Sequence, residues 1–272
     1  MILFDTHAHL IEEEPYEKDL ADVFARAVDA GVHHIMIASS TIDDSKLAID
    51  AVQKYASDKL RLCCMVGVHP SDADSFGEVE LQKLRSWLEK KEQYHIRAVG
   101  EIGLDYYYGK ENKDAQRECF IEQLKLAVEW NMPCVIHERD AMEDMLSILE
   151  AFAVQGSFRE QPGVIHCYSG SVESSEKLLA MGFYLGFDGP LTFKNARKAP
   201  DVVRACPLDR LLIETDSPYL TPTPFRGRRN ESQYVTYVAE AMAKLRNLTT
   251  EEIAQITTEN ACRLFEEEMY HV

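Results

Sequence analysis

Eight short apolar runs, each followed by a polar loop and then a helical pattern, constrain the fold of this chain more than any other feature. The runs are Ile2–Phe4, Ile35–Ala38, Leu62–Val66, Ile96–Val99, Cys134–Ile136, Val164–Ile165, Tyr184–Phe187 and Leu211–Ile213. They begin about 20 to 40 residues apart, the span of one strand plus a crossover helix. Between them, Asp19–Ala30 carries a helical stripe at Leu20, Val23, Phe24, Ala27 and Val28 and stops at Gly31. Asp114–Trp130 repeats the pattern at Phe120, Ile121, Leu124, Ala127 and Val128, with Asn131 and Pro133 as its stop. Thr249 with Glu252 forms a capping box ahead of Ile253, Ile256, Ala261 and Leu264. Strand and helix alternating eight times predict an α/β protein, a (β/α)8 TIM barrel, as a single domain over 1–272. A doubly wound open sheet is the alternative, but the GxGxxG turn that such nucleotide-binding sheets carry is missing.

Composition narrows the class. With 272 residues, 46% of them apolar, the chain can bury a large core and is not disordered. No run approaches the roughly 18 to 20 uncharged apolar residues of a membrane span, and Met1–Phe4 is too short for a secretory h-region. Seven cysteines without CxxC spacing read as reduced thiols in the cytoplasm. The 29 basic and 46 acidic side chains give a net charge of −17. That excludes a broad basic face wrapping long duplex DNA, yet leaves room for a small nucleic-acid site where metal ions reverse the local potential.

The chemistry gathers where the runs end. Asp5, His7 and His9 follow the first, His69 the third, Glu101 the fourth, His137 the fifth, His166 the sixth, and Glu214 with Asp216 the eighth. In a barrel these positions meet at the C-terminal mouth. Residues two apart on a strand face the same way, so His7 and His9 both turn inward. Any one histidine is more often a core or surface residue than a ligand, and His33, His34, His95 and His271, which lie away from the strand ends, receive no role. Six candidate ligands on five strands are a different matter: His7, His9, Glu101, His137, His166 and Asp216 form a divalent-metal constellation. Six exceed the need of one tetrahedral ion, and Glu101 has two oxygens with which to bridge a pair. Four imidazoles suit zinc, manganese or another first-row ion better than magnesium.

These segments carry a resemblance. DTHAH at 5–9, VGVHP at 66–70, GEIGLDYY at 100–107, IHERDA at 136–141, IHCYSG at 165–170, GPLTFKNA at 189–196, ETDSPYL at 214–220 and RGRRNE at 226–231 are similar to motifs of the TatD family of metal-dependent deoxyribonucleases. The resemblance implies a (β/α)8 barrel of the wider amidohydrolase group, with two divalent cations (magnesium, manganese or zinc) per subunit. It implies that His7, His9, Glu101 and Asp216 hold the first ion, that Glu101 bridges to a second held by His137 and His166, and that His69 lies beside the substrate phosphate. The implied activity is removal of nucleotides from a DNA 3′ end by metal-activated water, with Glu101 and Asp216 catalytic and Asp216 taking the proton. Two motifs depart from the family pattern: Ser232 stands where RGxRNEP has proline, and GFDGP at 186–190 replaces a segment that often reads SFSGP.

Phosphates need cations and bases need flat side chains. Arg139, the loop with Lys194, Arg197 and Lys198, and the loop with Arg226, Arg228 and Arg229 are the cationic candidates; Arg139, Lys194, Arg226 and Arg228, with His69, are the expected substrate contacts. Tyr106–Tyr108, Phe193 and Phe225 are candidates for base stacking, or equally for packing over the rim. A net charge of −17 predicts short footprints on single strands or strand ends. No membrane association is expected from a chain without an apolar span, and no obligate protein partner is evident. Cys167 follows His166, and strand alternation predicts that it turns away from the cluster. An amide or ester hydrolase on the same scaffold, such as a D-aminoacyl-tRNA deacylase, is the alternative activity, because activated water serves both. A non-catalytic binding barrel is disfavoured by the complete ligand set.

Overall fold

In the computed structural model, which describes residues 1–108 and 111–269, eight parallel strands stand in the order of the sequence. They are β1 (Leu3–Ala8), β2 (Val32–Ile37), β3 (Arg61–Val66), β4 (Ile96–Asp105), β5 (Cys134–Arg139), β6 (Gly163–Ile165), β7 (Tyr184–Phe187) and β8 (Leu211–Ile213). Helices fill the crossovers, and the sheet curls so that the segment after β8 meets β1. There the Asp216 N–H donates to the His7 carbonyl at 2.9 Å and the His9 N–H to the Ser217 carbonyl at 2.8 Å. The (β/α)8 barrel expected from the pattern is the architecture, and the seam that closes it is made by candidate ligand residues.

Alternation along the strands separates two apolar layers. Phe4, Met36, Met65, Val135, Tyr184 and Leu212 point into the barrel, whose N-terminal end is plugged by Leu264 and Phe265 of the helix Thr250–Phe265. Ile35, Ile37, Cys64, Val66 and Ile136 point outward against the helices. The helix Leu20–Asp29 buries Leu20, Val23, Phe24 and Ala27, the stripe its sequence carries. The capping box at Thr249 and Glu252 is formed, with Oγ1 accepting from the Glu252 N–H and Oε2 from the Thr249 N–H. Among the described residues no helix is long and apolar enough to cross a membrane.

Three strands outrun their apolar runs. β1, β4 and β5 continue through His7, Glu101 to Asp105, and His137 to Arg139. The backbone ladder persists where hydropathy stops, because at this end the barrel interior is filled by histidine and carboxylate side chains instead of aliphatic groups. Alternation from inward Ala98 would turn Glu101 outward; a register shift between Val99 and Ile102 against β5 resets the count, and Glu101, Gly103 and Asp105 then share the inner side. Gly103 is needed there: its φ is +145°, and a Cβ would sit 2.0 Å from the His137 carbonyl oxygen.

Candidate metal centre

At the C-terminal mouth Glu101 stands in the middle of two groups. The His7 and His9 Nε2 atoms lie 3.2 Å apart, 3.5 and 3.6 Å from Glu101 Oε2, and 3.7 and 3.6 Å from Asp216 Oδ1. Ligand atoms at about 2.0–2.2 Å from a tetrahedral ion stand about 3.4 Å from each other, so two imidazole nitrogens and two carboxylate oxygens with these separations fit one divalent cation. The other Glu101 oxygen, Oε1, faces His166 Nε2 at 2.7 Å and His137 Nδ1 at 3.0 Å, with those two nitrogens 3.3 Å apart. His69 Nε2 approaches the same oxygen at 3.6 Å. The donor set therefore suits two cations sharing Glu101, and clusters of this kind include His7 with His9 and Glu101, and His69 with Glu101 and His137.

Charge is balanced within the cluster. Burial opposes ionisation of Glu101, but the surrounding imidazoles outweigh it and hold its carboxyl well below the usual carboxylate range. Burial likewise opposes charging His166, and Glu101 and Glu214 override it, so its pKa lies well above the ordinary value. Asp216 is kept low by His9 and its neighbours against the same burial. Burial drags His69 down to about 4, with Glu101 pulling the other way.

Residues that sequence reasoning passed over hold these groups in place. Asp105 Oδ2 lies 3.2 Å from His137 Nε2, while its Oδ1 accepts the N–H groups of Tyr107 and Tyr108 at 2.9 and 3.0 Å. Those bonds to His137 and the tyrosines bring Asp105 down to about 2 in spite of burial. Glu214, noted at the end of β8 but given no role, is fully buried, stands 3.7 Å from His166 Nδ1 and accepts the Cys167 N–H at 2.6 Å. Gly186 leaves it space, since a Cβ there would come 2.4 Å from Glu214 Oε2. Asp5 accepts from the Thr215 N–H at 2.9 Å, Thr215 Oγ1 at 2.7 Å and Ser232 Oγ at 2.5 Å, tying β1 to the segment that carries Asp216. Burial nonetheless pushes its carboxyl up to about 7. Ser232, at the position where the family motif has proline, thus has a partner that proline would lack.

The expected substrate contacts divide. His69 and Arg139 line a cavity of about 800 Å³ above Glu101, together with Tyr108 and Tyr219. Lys194, Arg226 and Arg228 stand outside it on the loops after β7 and β8; the Arg226 guanidinium rests 4.0 Å over the Phe193 ring and Arg228 5.6 Å over Phe225. Arg229, grouped with them in the sequence, is tied to Asp19 and Glu231 and braces the fold. Tyr106 is buried with its hydroxyl on Asp144, and Phe225 stacks on Tyr234, so both are packing residues. The expectation for Cys167 fails. β6 ends at Ile165 and Cys167 has φ +46°, so alternation does not reach it, and it lines the cavity beside Asp188. Burial and the nearby carboxylates raise its thiol well above the ordinary value, which leaves no reactive thiolate. His33, His34 and His95 stand away from the centre, and His271 lies outside the described residues.

Comparison with known proteins identifies the family. The profile of the family described as TatD related DNase matches residues 4–266. The chain is 44% identical to YabD of Bacillus subtilis (strain 168), an uncharacterized metal-dependent hydrolase, over 97% of this chain and 99% of that one. It is 40% identical to YcfH of Escherichia coli (strain K12), also an uncharacterized metal-dependent hydrolase, over 97% and 96% of the two chains. The crystal structure of YJJV, a TatD homolog from Escherichia coli K12, superposes with a TM-score of 0.88 at 29% identity, covering 98% of each chain. With the profile, the relatives and the barrel in agreement, the chain belongs to the TatD family of metal-dependent hydrolases.

Proposed function

We propose that the protein hydrolyses DNA phosphodiester bonds, removing nucleotides from the 3′ end of single strands or frayed ends in the cytoplasm. The observation that carries this reading is Glu101, whose two oxygens face two separate sets of histidines at the floor of an open cavity. Two divalent cations held there, by His7, His9, Glu101 and Asp216 and by Glu101, His137 and His166, would supply an activated water and Lewis acidity toward a phosphoryl group. Asp216, ionised by its histidine neighbours, is the group to accept the proton from water. His69 reaches into the cavity beside Glu101, placed to hydrogen-bond a phosphate oxygen, and Arg139 offers a fork to the next phosphate. Lys194, Arg226 and Arg228 extend that positive track along the rim. Seven free cysteines favour a reducing compartment.

The test uses metal-stripped protein and single-stranded DNA labelled at its 5′ end, with magnesium, manganese and zinc restored separately. A ladder shortening from the 3′ end, absent in Glu101→Ala, is the expected result. Metal uptake without cleavage by any ion refutes the reading and turns attention to ester or amide hydrolysis, D-aminoacyl-tRNA first.

A further inference from the structure

Exposed large apolar side chains are few among the described residues, and they are not scattered. Of seven, three line the cavity, Tyr108, Tyr219 and Leu220, and a fourth, Tyr107, packs against Tyr108. Tyr108 is 77% exposed and Tyr219 61%, although each could have packed over the barrel rim as Tyr106 does. Solvent-facing aromatics concentrated at one polar opening mark a surface that meets a ligand.

Both walls are fastened to the candidate metal centre. On one side, Asp105 gives one oxygen to His137 and the other to the N–H groups of Tyr107 and Tyr108, so this turn is fixed to a candidate ligand. The two rings meet edge to face at 4.7 Å, and the Arg139 guanidinium lies 4.0 Å from the first and 4.9 Å from the second. On the other side, the Tyr219 N–H donates to the Asp216 carbonyl at 2.8 Å and its own carbonyl accepts from Asn230 at 2.6 Å. Its ring stands 6.2 Å from that of His9. Flat apolar faces on both sides, one beside a guanidinium and both anchored at the phosphate-binding floor, match a nucleotide in shape and charge.

We propose that Tyr107, Tyr108 and Tyr219 form a clamp that stacks on unpaired nucleobases flanking the phosphate at the centre. The inference rests on the phosphodiester reading and adds to it the side chains that select an unpaired substrate. A base inside a duplex has both faces covered by its neighbours, so only a single strand or an opened end can present a face to these rings. The clamp contacts faces and not edges, and is therefore indifferent to base identity.

Equilibrium binding without divalent ions separates the clamp from the chemistry. The probes are a fluorescein-labelled oligothymidylate and an oligomer of the same length made of abasic residues, read by anisotropy. The base-bearing strand is expected to bind on the order of ten-fold tighter. Tyr108→Ala and Tyr219→Ala should each erase most of that preference and leave abasic binding as it was, whereas Tyr108→Phe and Tyr219→Phe retain it. Val79→Ala, which removes an equally exposed apolar side chain elsewhere, should leave both affinities unchanged. Equal binding of the two strands by the wild type, or alanine variants that weaken both strands alike, overturns the clamp. Base-selective binding with no cleavage when magnesium, manganese or zinc is added leaves the clamp standing and refutes the hydrolysis of phosphodiesters.

Discussion

Ser232→Ala offers a measurable test of how the barrel seam is held. The Ser232 hydroxyl donates to Asp5 Oδ2 at 2.5 Å, and both residues are fully buried. A hydrogen bond to a charged group contributes about 1.5–3 kcal/mol, so the single substitution should cost about 2 kcal/mol. Asp5→Asn keeps an acceptor oxygen but loses the charge and sets an amide donor against Thr215 and Ser232. In that background the serine substitution should cost less than about 1 kcal/mol, a coupling of at least about 1 kcal/mol across the cycle. Urea unfolding of metal-stripped protein, followed by Trp87 and Trp130 fluorescence, reads all four forms. The coupling has a sign with pH as well. Burial raises Asp5 to about 7 and the Ser232 bond is the largest influence holding it down, so the carboxylate form is the one the hydroxyl supports. The coupling should therefore be larger at pH 8.5 than at pH 5.5. Costs that simply add within about 0.5 kcal/mol, at both pH values, would refute the argument that this bond ties β1 to the Asp216 segment.

Other outcomes follow from the same coordinates. His34, buried in β2 and stacked on Phe4 at 5.1 Å, is lowered by burial to about 4 from 6.5. The folded state thus resists its protonation, and stability present above pH 6.5 is lost as pH falls toward 4. The full loss is about 3 kcal/mol, and the difference in urea midpoint between pH 7 and pH 4.5 should shrink in His34→Gln. Divalent ion at about 100 times its Kd should stabilise the wild type by about 2.7 kcal/mol, and Glu101→Gln by far less, in thermal melts with and without chelator. His137→Ala and Asp216→Ala should each abolish turnover while retaining the wild-type circular dichroism; hydrolysis in either would remove it from the proposed machinery. Binding of single-stranded DNA should show a shallow salt slope, between about −1 and −3, because few phosphates are contacted. A slope near −6 would contradict a short footprint.

Much of the barrel was legible because its strands are buried on both faces and therefore read as apolar runs, as in β7 and β8, whose limits match residue for residue. The mismatch came where function displaces hydropathy. β4 reads as four residues in the sequence and is ten long, because Glu101 and Asp105 occupy inward positions that aliphatic side chains fill lower down. Glu101 itself points inward through a register shift, and periodicity carries no trace of such a shift. Asp105 had a signal, its spacing of four from Glu101 in one strand, but it required knowing that the strand continued. Tyr219 had none beyond its place three residues after Asp216. Cys167 misled because the alternation rule was extended past the end of a strand of three residues.

The acidity of the chain and the proposed polyanionic substrate are reconciled by what the arginines rest on. Away from the mouth they meet carboxylates: Arg26 and Arg229 meet Glu231, Arg97 meets Glu267, and Arg159 meets Glu266. Arg139 at the mouth, and Arg226 and Arg228 on the loops beyond it, lie on rings instead: Arg139 over Tyr107 and Tyr108, Arg226 over Phe193 and Arg228 over Phe225. A ring face orients a guanidinium without neutralising it and leaves its N–H fork free for a phosphate. On the proposed reading, the net charge of −17 would repel a long duplex at a distance, while these arginines and cations held around Glu101 would make this opening attractive at short range. Such a field would select for a strand thin enough to enter the cavity and short enough in its contacts to leave. An arginine pinned by a carboxylate at the same positions would give the same fold with the selectivity removed.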